Sequence, residues 1–157
     1  MPRMVSGGDE APDFTLSTAS GDRVSPTDFR GKSRVVLYFY PKDDTPGCTA
    51  EACSFRDHAG LLKKAGAVIL GVSPDGPESH GRFSKKHELP FPLLSDEKKI
   101  VSRAYGVWKK KTLYGRTYMG IERSTFVIDE KGKIIKAFRK VKVNGHTQEI
   151  LDALKGA

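Results

Sequence analysis

Two nearly continuous apolar runs restrict the fold most: Arg34 to Tyr40 (RVVLYFY) and Ala67 to Val72 (AVILGV), with a helix-length segment between them. Neither run alternates apolar with polar residues. Strands of that kind are buried on both faces, as in the middle of a parallel sheet. Between them, Thr45 suits a helix N-cap and Pro46 the first helical position. Lys63-Lys64 followed by Gly66 suits the other end, so the sequence predicts a helix from Pro46 to Ala65. Strand, helix, strand is a βαβ unit, and the chain reads as α/β.

The remaining elements follow from turn and cap signals. Asp13 to Ser17 and Arg23-Val24 flank the turn Ala19 to Asp22 and predict a small N-terminal hairpin. Ser25-Pro26 starts a single helical turn that ends at Gly31. Pro77 to Glu88 reads as a helix, Phe91 to Leu94 as a short edge strand bounded by prolines, and Asp96 to Tyr105 as a helix capped by Ser95. Gly106 to Gly120 is mixed and basic and reads as loop with some strand. Ser124 to Asp129 and Lys133 to Arg139, joined by Glu130-Lys131-Gly132, predict a second hairpin. Thr147 to Leu154 carries a helical apolar stripe. The 157 residues are expected to form one domain, residues 1–157, with residues 1–8, and as far as Glu10, as a loose tail.

Both cysteines fall in PKDDTPGCTAEAC, the stretch from Pro41 to Cys53 that opens the predicted helix. Cys48 lies in its first turn, where unpaired N–H groups and the positive end of the helix dipole favour a thiolate. An unperturbed cysteine is only roughly 3% ionised at pH 7, and the thiolate is the nucleophile. Thr45, Pro46 and Gly47 are expected to build a helix start around the sulfur without burying it. Five residues along an α-helix is about 7.5 Å of rise and about 140° of rotation, or roughly 8.5 Å between Cα atoms. A disulfide reaches only about 7 Å. Cys48 shares a face with Ala52, Phe55, Ala59 and Leu62 and looks toward the core. Cys53 shares one with Asp57, Gly60 and Lys64 and looks toward water. Should the two pair, the first turns of the helix must unwind.

Several classes are excluded or weakened. Zinc is disfavoured, because the two cysteines have no second pair and the four histidines complete no ligand set by spacing. No apolar run approaches a membrane span and the N-terminus has no apolar signal region, so a cytoplasmic protein without membrane contact is expected. There a cysteine pair is expected to be redox-active, not structural. The net charge is +8, with the basic excess after Gly60, but no nucleic-acid-reading motif accompanies it and a solvated face is expected. Asp43 and Asp44 stand close to Cys48 in sequence and would disfavour a thiolate. A compensating cation is therefore expected, and a guanidinium that keeps its proton suits the task.

Pro41, Thr45 and Cys48 stand at the spacing PxxxTxxC, and Glu51 continues it as CxxE. Together with Cys53, the run from Gly71 to Asp75, YGVW at Tyr105 to Trp108 and RSTFVID at Arg123 to Asp129, the chain resembles the peroxiredoxins, in particular the Q-type or bacterioferritin comigratory protein branch. The resemblance implies a thioredoxin-like fold, a central mixed sheet flanked by helices with an N-terminal β-hairpin, and a thiol peroxidase that needs no cofactor. It implies Cys48 as the peroxidatic cysteine and Cys53 as the resolving one. Thr45 would hydrogen-bond the reacting oxygens, Pro41 shield the sulfur, Arg123 hold the thiolate and polarise the peroxide, and Glu51 orient the arginine. The implied sequence is a sulfenic acid at Cys48, an intrachain disulfide to Cys53 and reduction by thioredoxin, with hydrogen peroxide and organic hydroperoxides as substrates, in a monomer or a dimer. The alternatives are a thioredoxin-fold disulfide carrier, against which the missing CxxC counts, and a basic binding protein with idle cysteines.

Overall fold

A computed structural model describes residues 5–156. At its centre is β3 (Arg34–Phe39), parallel to β4 (Ala67–Ser73) on one side and antiparallel to β8 (Ser124–Ile128) on the other. β5 (Leu93–Ser95) continues the sheet parallel to β4, and the hairpin of β1 (Leu16–Ser17) and β2 (Arg23–Val24) is added antiparallel beyond it. β9 (Ile134–Phe138) closes the opposite side, giving the order β2-β1-β5-β4-β3-β8-β9. Successive residues of a strand point to opposite faces. Val36, Tyr38 and Tyr40 enter one core with Phe55, Phe83, Ile150 and Leu154, whereas Val35, Leu37 and Phe39 enter another with Leu70, Val101, Tyr105 and Phe126. Two covered faces are why β3 and β4 do not alternate. Gly71 sits opposite Tyr38, where a Cβ would come within 3.0 Å of the Tyr38 ring and 2.8 Å of Leu93, so the missing side chain makes room for both.

The helical segment after β3 is two helices, α1 (Pro46–Asp57) and α2 (Ala59–Lys64). His58 lies between them at φ −102°, ψ 7°, and its Nδ1 is 2.8 Å from the Ser54 carbonyl. The expected single helix is therefore interrupted at a residue whose ring bonds the turn before it. α3 (Pro77–His87) leads to β5, which is an internal strand, not the edge strand expected. Pro90 and Pro92 precede it, so their missing N–H groups fall outside the ladder. α4 (Ile100–Ala104) starts later than predicted, because Asp96, not Ser95, receives the amides of Val101 and Ser102 at 3.3 and 2.8 Å.

The stretch after α4 resolves into a two-stranded hairpin, β6 (Trp108–Leu113) and β7 (Arg116–Ile121). Its two-residue turn, Tyr114-Gly115, has positive φ at both positions, as type I′ turns require. α5 (His146–Lys155) packs its Ile150 and Leu154 stripe into the first core. Residues 1–4 of the expected tail lie outside the described residues. From Val5 onward the segment is not loose: Val5 is buried, Gly8 donates to the Ile134 carbonyl at 2.8 Å, and Ala11 donates to that of Gly132 at 2.9 Å. β9 is the last strand of its sheet, and this segment occupies its open edge.

Candidate active site

β3 delivers the chain to a loop, 41–45, that turns into α1. Asp44, at φ 59°, makes the reversal, and Thr45 takes the N-cap position in extended conformation. Cys48 is the third residue of α1 and is only 2% exposed, seated among Tyr38, Tyr40, Ala52 and Phe55. The expectation that the helix start leaves the sulfur open is thus corrected: α1 lies down on the sheet and carries its first turn with it.

Arg123 reaches the sulfur through the sheet. It directly precedes Ser124, which pairs with Phe39 at the end of β3, so the antiparallel register brings a residue 75 positions away beside the start of α1. Its Nη2 donates to Cys48 Sγ at 3.4 Å and its Nη1 to Glu51 Oε1 at 2.7 Å. Gly47 permits this approach, since a Cβ there would stand 3.1 Å from Arg123 Nη2. Burial alone would lower the Arg123 guanidinium, but Glu51, Cys48 and the hydrogen bonds to them reverse this and raise it. Glu51 is buried, and that burial pushes its carboxyl up to about 7 against the pull of Arg123; its Oε2 has no hydrogen-bond partner among the described residues. Lys111 of β6 is lowered by burial and then by the charge of Arg123, with Glu122 and Cys48 opposing.

The loop is fastened from behind. Asp43 is buried and accepts from Tyr40 Oη at 2.6 Å and Ser79 Oγ at 2.8 Å, with His80 Nδ1 at 2.7 Å, while its own amide donates to Asp75 Oδ2 at 2.7 Å. Asp44 accepts from Lys86 Nζ at 3.0 and 3.1 Å. Both acids therefore have partners away from the sulfur, and the argument that they call for Arg123 is corrected, although the arginine is there. Asp43, Asp75 and His80 could bring ligand atoms within 4.8 Å of one another for a metal ion, but those atoms already bond to one another and to Ser73, Ser79 and Tyr40.

The other expected residues are placed as follows. Thr45 Oγ1 donates to the Lys42 carbonyl at 2.9 Å, which leaves its lone pairs free to accept. Pro41 is half-buried at the start of the loop. Cys48 and Cys53 are both free thiols on α1. Cys53 does not face open water: it is half-buried and its Sγ is 3.8 Å from His87 Nδ1 at the end of α3. Neither this contact nor the Asp43 network was visible in the sequence, because each joins residues more than thirty positions apart.

A family model described as AhpC/TSA matches residues 7–137. The chain belongs to the AhpC/TSA family. Within it, the chain is 53% identical over 148 residues to Peroxiredoxin Bcp of Bacillus subtilis, covering 94% of each, and 48% identical over 151 residues to Peroxiredoxin Bcp of Escherichia coli, covering 96% of each. Peroxiredoxin Q of Xanthomonas campestris superposes with a TM-score of 0.86 at 44% identity over 91% of this chain and 90% of that one. A mutant of PrxQ from Xylella fastidiosa gives 0.90 at 38% identity over 98% and 97%. Bacterioferritin comigratory protein of Xanthomonas campestris, which superposes with a TM-score of 0.86 at 44% identity over 91% of this chain and 90% of that one, has been solved as trapped intermediate and ligand complexes bearing on its alkyl peroxide reduction. The thioredoxin-like peroxiredoxin fold expected from the sequence is the fold this AhpC/TSA protein has.

Proposed function

We propose that this peroxiredoxin reduces hydrogen peroxide and organic hydroperoxides through Cys48 and is resolved by Cys53 within the same chain. The observation that carries the reading is the Arg123 fork, with one nitrogen on Cys48 Sγ and another on Glu51. A guanidinium at 3.4 Å stabilises negative charge on the sulfur. The thiolate attacks one oxygen of ROOH, the O–O bond breaks, an S–O bond forms and RO– leaves to become ROH. Charge grows on the departing oxygen, so fixed donors gain strength in the transition state. Arg123 and the free amides of the first turn of α1 are those donors. Thr45, its hydroxyl hydrogen held by Lys42, accepts from the peroxide O–H. Pro41 keeps water from the loop side, and Glu51 aims the guanidinium.

The product is a sulfenic acid, which condenses with a thiol. Both thiols lie on α1 within a regular helix, so the intrachain disulfide follows fraying of its first turns. An external dithiol of the thioredoxin type then restores both thiols. The resemblance supports one domain, in a monomer or a dimer, acting in the cytoplasm without membrane or nucleic-acid partners; no helix among the described residues is long and apolar enough to cross a membrane. A disulfide carrier would have no use for an arginine on its nucleophile. Mass spectrometry after one equivalent of peroxide tests the reading. Cys48→Ser abolishes turnover, and Cys53→Ser accumulates sulfenic acid at Cys48. Undiminished thioredoxin-coupled turnover by Cys53→Ser would refute the intrachain step.

A further inference from the structure

The geometry points to His87 as the base that activates Cys53, a catalytic role on the second half of the cycle; it rests on the assignment of Cys53 as the resolving thiol. The imidazole stands between two groups from different elements. Its Nδ1 is 3.8 Å from Cys53 Sγ, within hydrogen-bond range for sulfur. Its Nε2 is buried, has no hydrogen-bond partner among the described residues, and lies 3.6 Å from Asp44 Oδ1. A thiol that donates to Nδ1 requires the tautomer with hydrogen on Nε2, and that hydrogen points toward the Asp44 carboxylate. Nucleophile, base and orienting acid thus stand in line, the arrangement by which a neutral thiol is made reactive.

The ring is also fixed in place. Arg56 Nη1 donates to the His87 carbonyl at 2.9 Å, tying the end of α3 to the last turn of α1, and the ring packs edge-on to Phe83 at 5.2 Å. The charged groups around it are Asp44 on the loop, Lys86 beside it on α3, Arg56 and Asp57 on α1 and Glu88 just after α3. Among these, Arg56 supplies positive charge near Cys53. Since Cys53 lies in the last turns of α1, it keeps its contact with His87 while the first turns unwind and bring Cys48 across.

In the step itself, His87 Nδ1 takes the Cys53 proton and the thiolate attacks the sulfur of the Cys48 sulfenic acid. The S–S bond forms and the S–O bond breaks. Cys53 is oxidised and Cys48 reduced by the same electron pair; the oxygen departs as hydroxide, which becomes water with a solvent proton, and the imidazolium returns its own proton to solvent.

The test is rapid-quench mass spectrometry of the full chain after one equivalent of hydrogen peroxide, following sulfenic acid and disulfide separately. His87→Asn keeps a polar atom near the position of Nδ1 but cannot act as a base. Disulfide formation in it is expected to slow more than tenfold at pH 7, the gap narrowing above pH 9, where an ordinary thiol ionises unaided. In His87→Ala, added imidazole is expected to restore part of the rate. Equal slowing at every pH, or no slowing, together with no imidazole rescue, would overturn the assignment. Cys53→Ser in the same assay separates the two claims. If it turns over undiminished, the intrachain reading falls; if it does not, while the His87 variants resolve as fast as the parent, only the role of His87 falls.

Discussion

At Cys48, one guanidinium bonds both the sulfur and a buried acid, so its removal exposes two faults at once. Arg123→Ala is expected to lower kcat/KM for hydrogen peroxide by about 10²–10³-fold, as loss of an oxyanion donor does elsewhere. Arg123→Lys is expected to recover only part of this, since a point charge cannot bond Cys48 and Glu51 in the fork the arginine makes. A Lys variant with full peroxide kinetics in stopped flow would contradict that. Glu51 makes a separate prediction. Its carboxyl is raised from 4.5 to about 7 in the folded protein, first by burial. Between those values the folded state holds a proton that the unfolded chain has released, so this contribution is complete below about 4.5 and disappears as pH rises through about 7. From pH 5 to 8, urea denaturation should show the parent losing up to about 3 kcal/mol relative to Glu51→Gln, at ~1.4 kcal/mol per pH unit of displacement. Parallel profiles would contradict it. At this scale the sequence supplied identities but not neighbours. Arg123 came from the resemblance, and the charge argument for it was wrong in its premise, because Asp43 and Asp44 turn to Tyr40, His80 and Lys86.

Among the elements, α1 is where fold and chemistry meet. Its start is set by Thr45 and Pro46, and its depth by Ala52 and Phe55 against the sheet. Gly47→Ala is expected to favour the helix slightly while moving Arg123, since the new Cβ would stand 3.1 Å from Nη2. The expected result is peroxide reactivity lowered severalfold or more with an unchanged circular dichroism spectrum; undiminished reactivity would show that the guanidinium gives way freely. The βαβ unit, both hairpins of the main sheet and the last helix were legible because hydrophobic period, turn residues and caps are local. The internal place of β5 was not, because it is decided by a strand packed from elsewhere, and the break at His58 and the cap by Asp96 were not, because each turns on a side-chain bond four to six residues away that period and cap residues do not reveal. The β6–β7 hairpin was missed for another reason. Its exposed, basic strands lack apolar alternation, and only Tyr114-Gly115 marks the turn, with Tyr114 96% exposed.

For the whole molecule, the proposed resolution of Cys48 by Cys53 would trade packing for a short covalent loop. Fraying the first turns of α1 withdraws Cys48 and Ala52 from the core they share with Tyr38 and Phe55, and a five-residue loop offers little entropy in return. The oxidised thiol peroxidase is therefore expected to melt lower than the reduced one, by about 2–4 °C for each kcal/mol lost. Scanning calorimetry with and without reductant checks this; a higher Tm on oxidation would contradict it. The two covered sheet faces, by contrast, are expected to keep the frame that holds Arg123, Asp43 and α3 in place while α1 moves. A crystal structure of the protein after one equivalent of hydrogen peroxide tests this division most directly. A Cys48–Cys53 bond with the first turns of α1 unwound and the sheet unmoved is the expected result. A bond spanning an intact Pro46–Asp57 helix, or Cys48 oxidised with Arg123 turned away from it, would contradict resolution by helix fraying beside a fixed guanidinium.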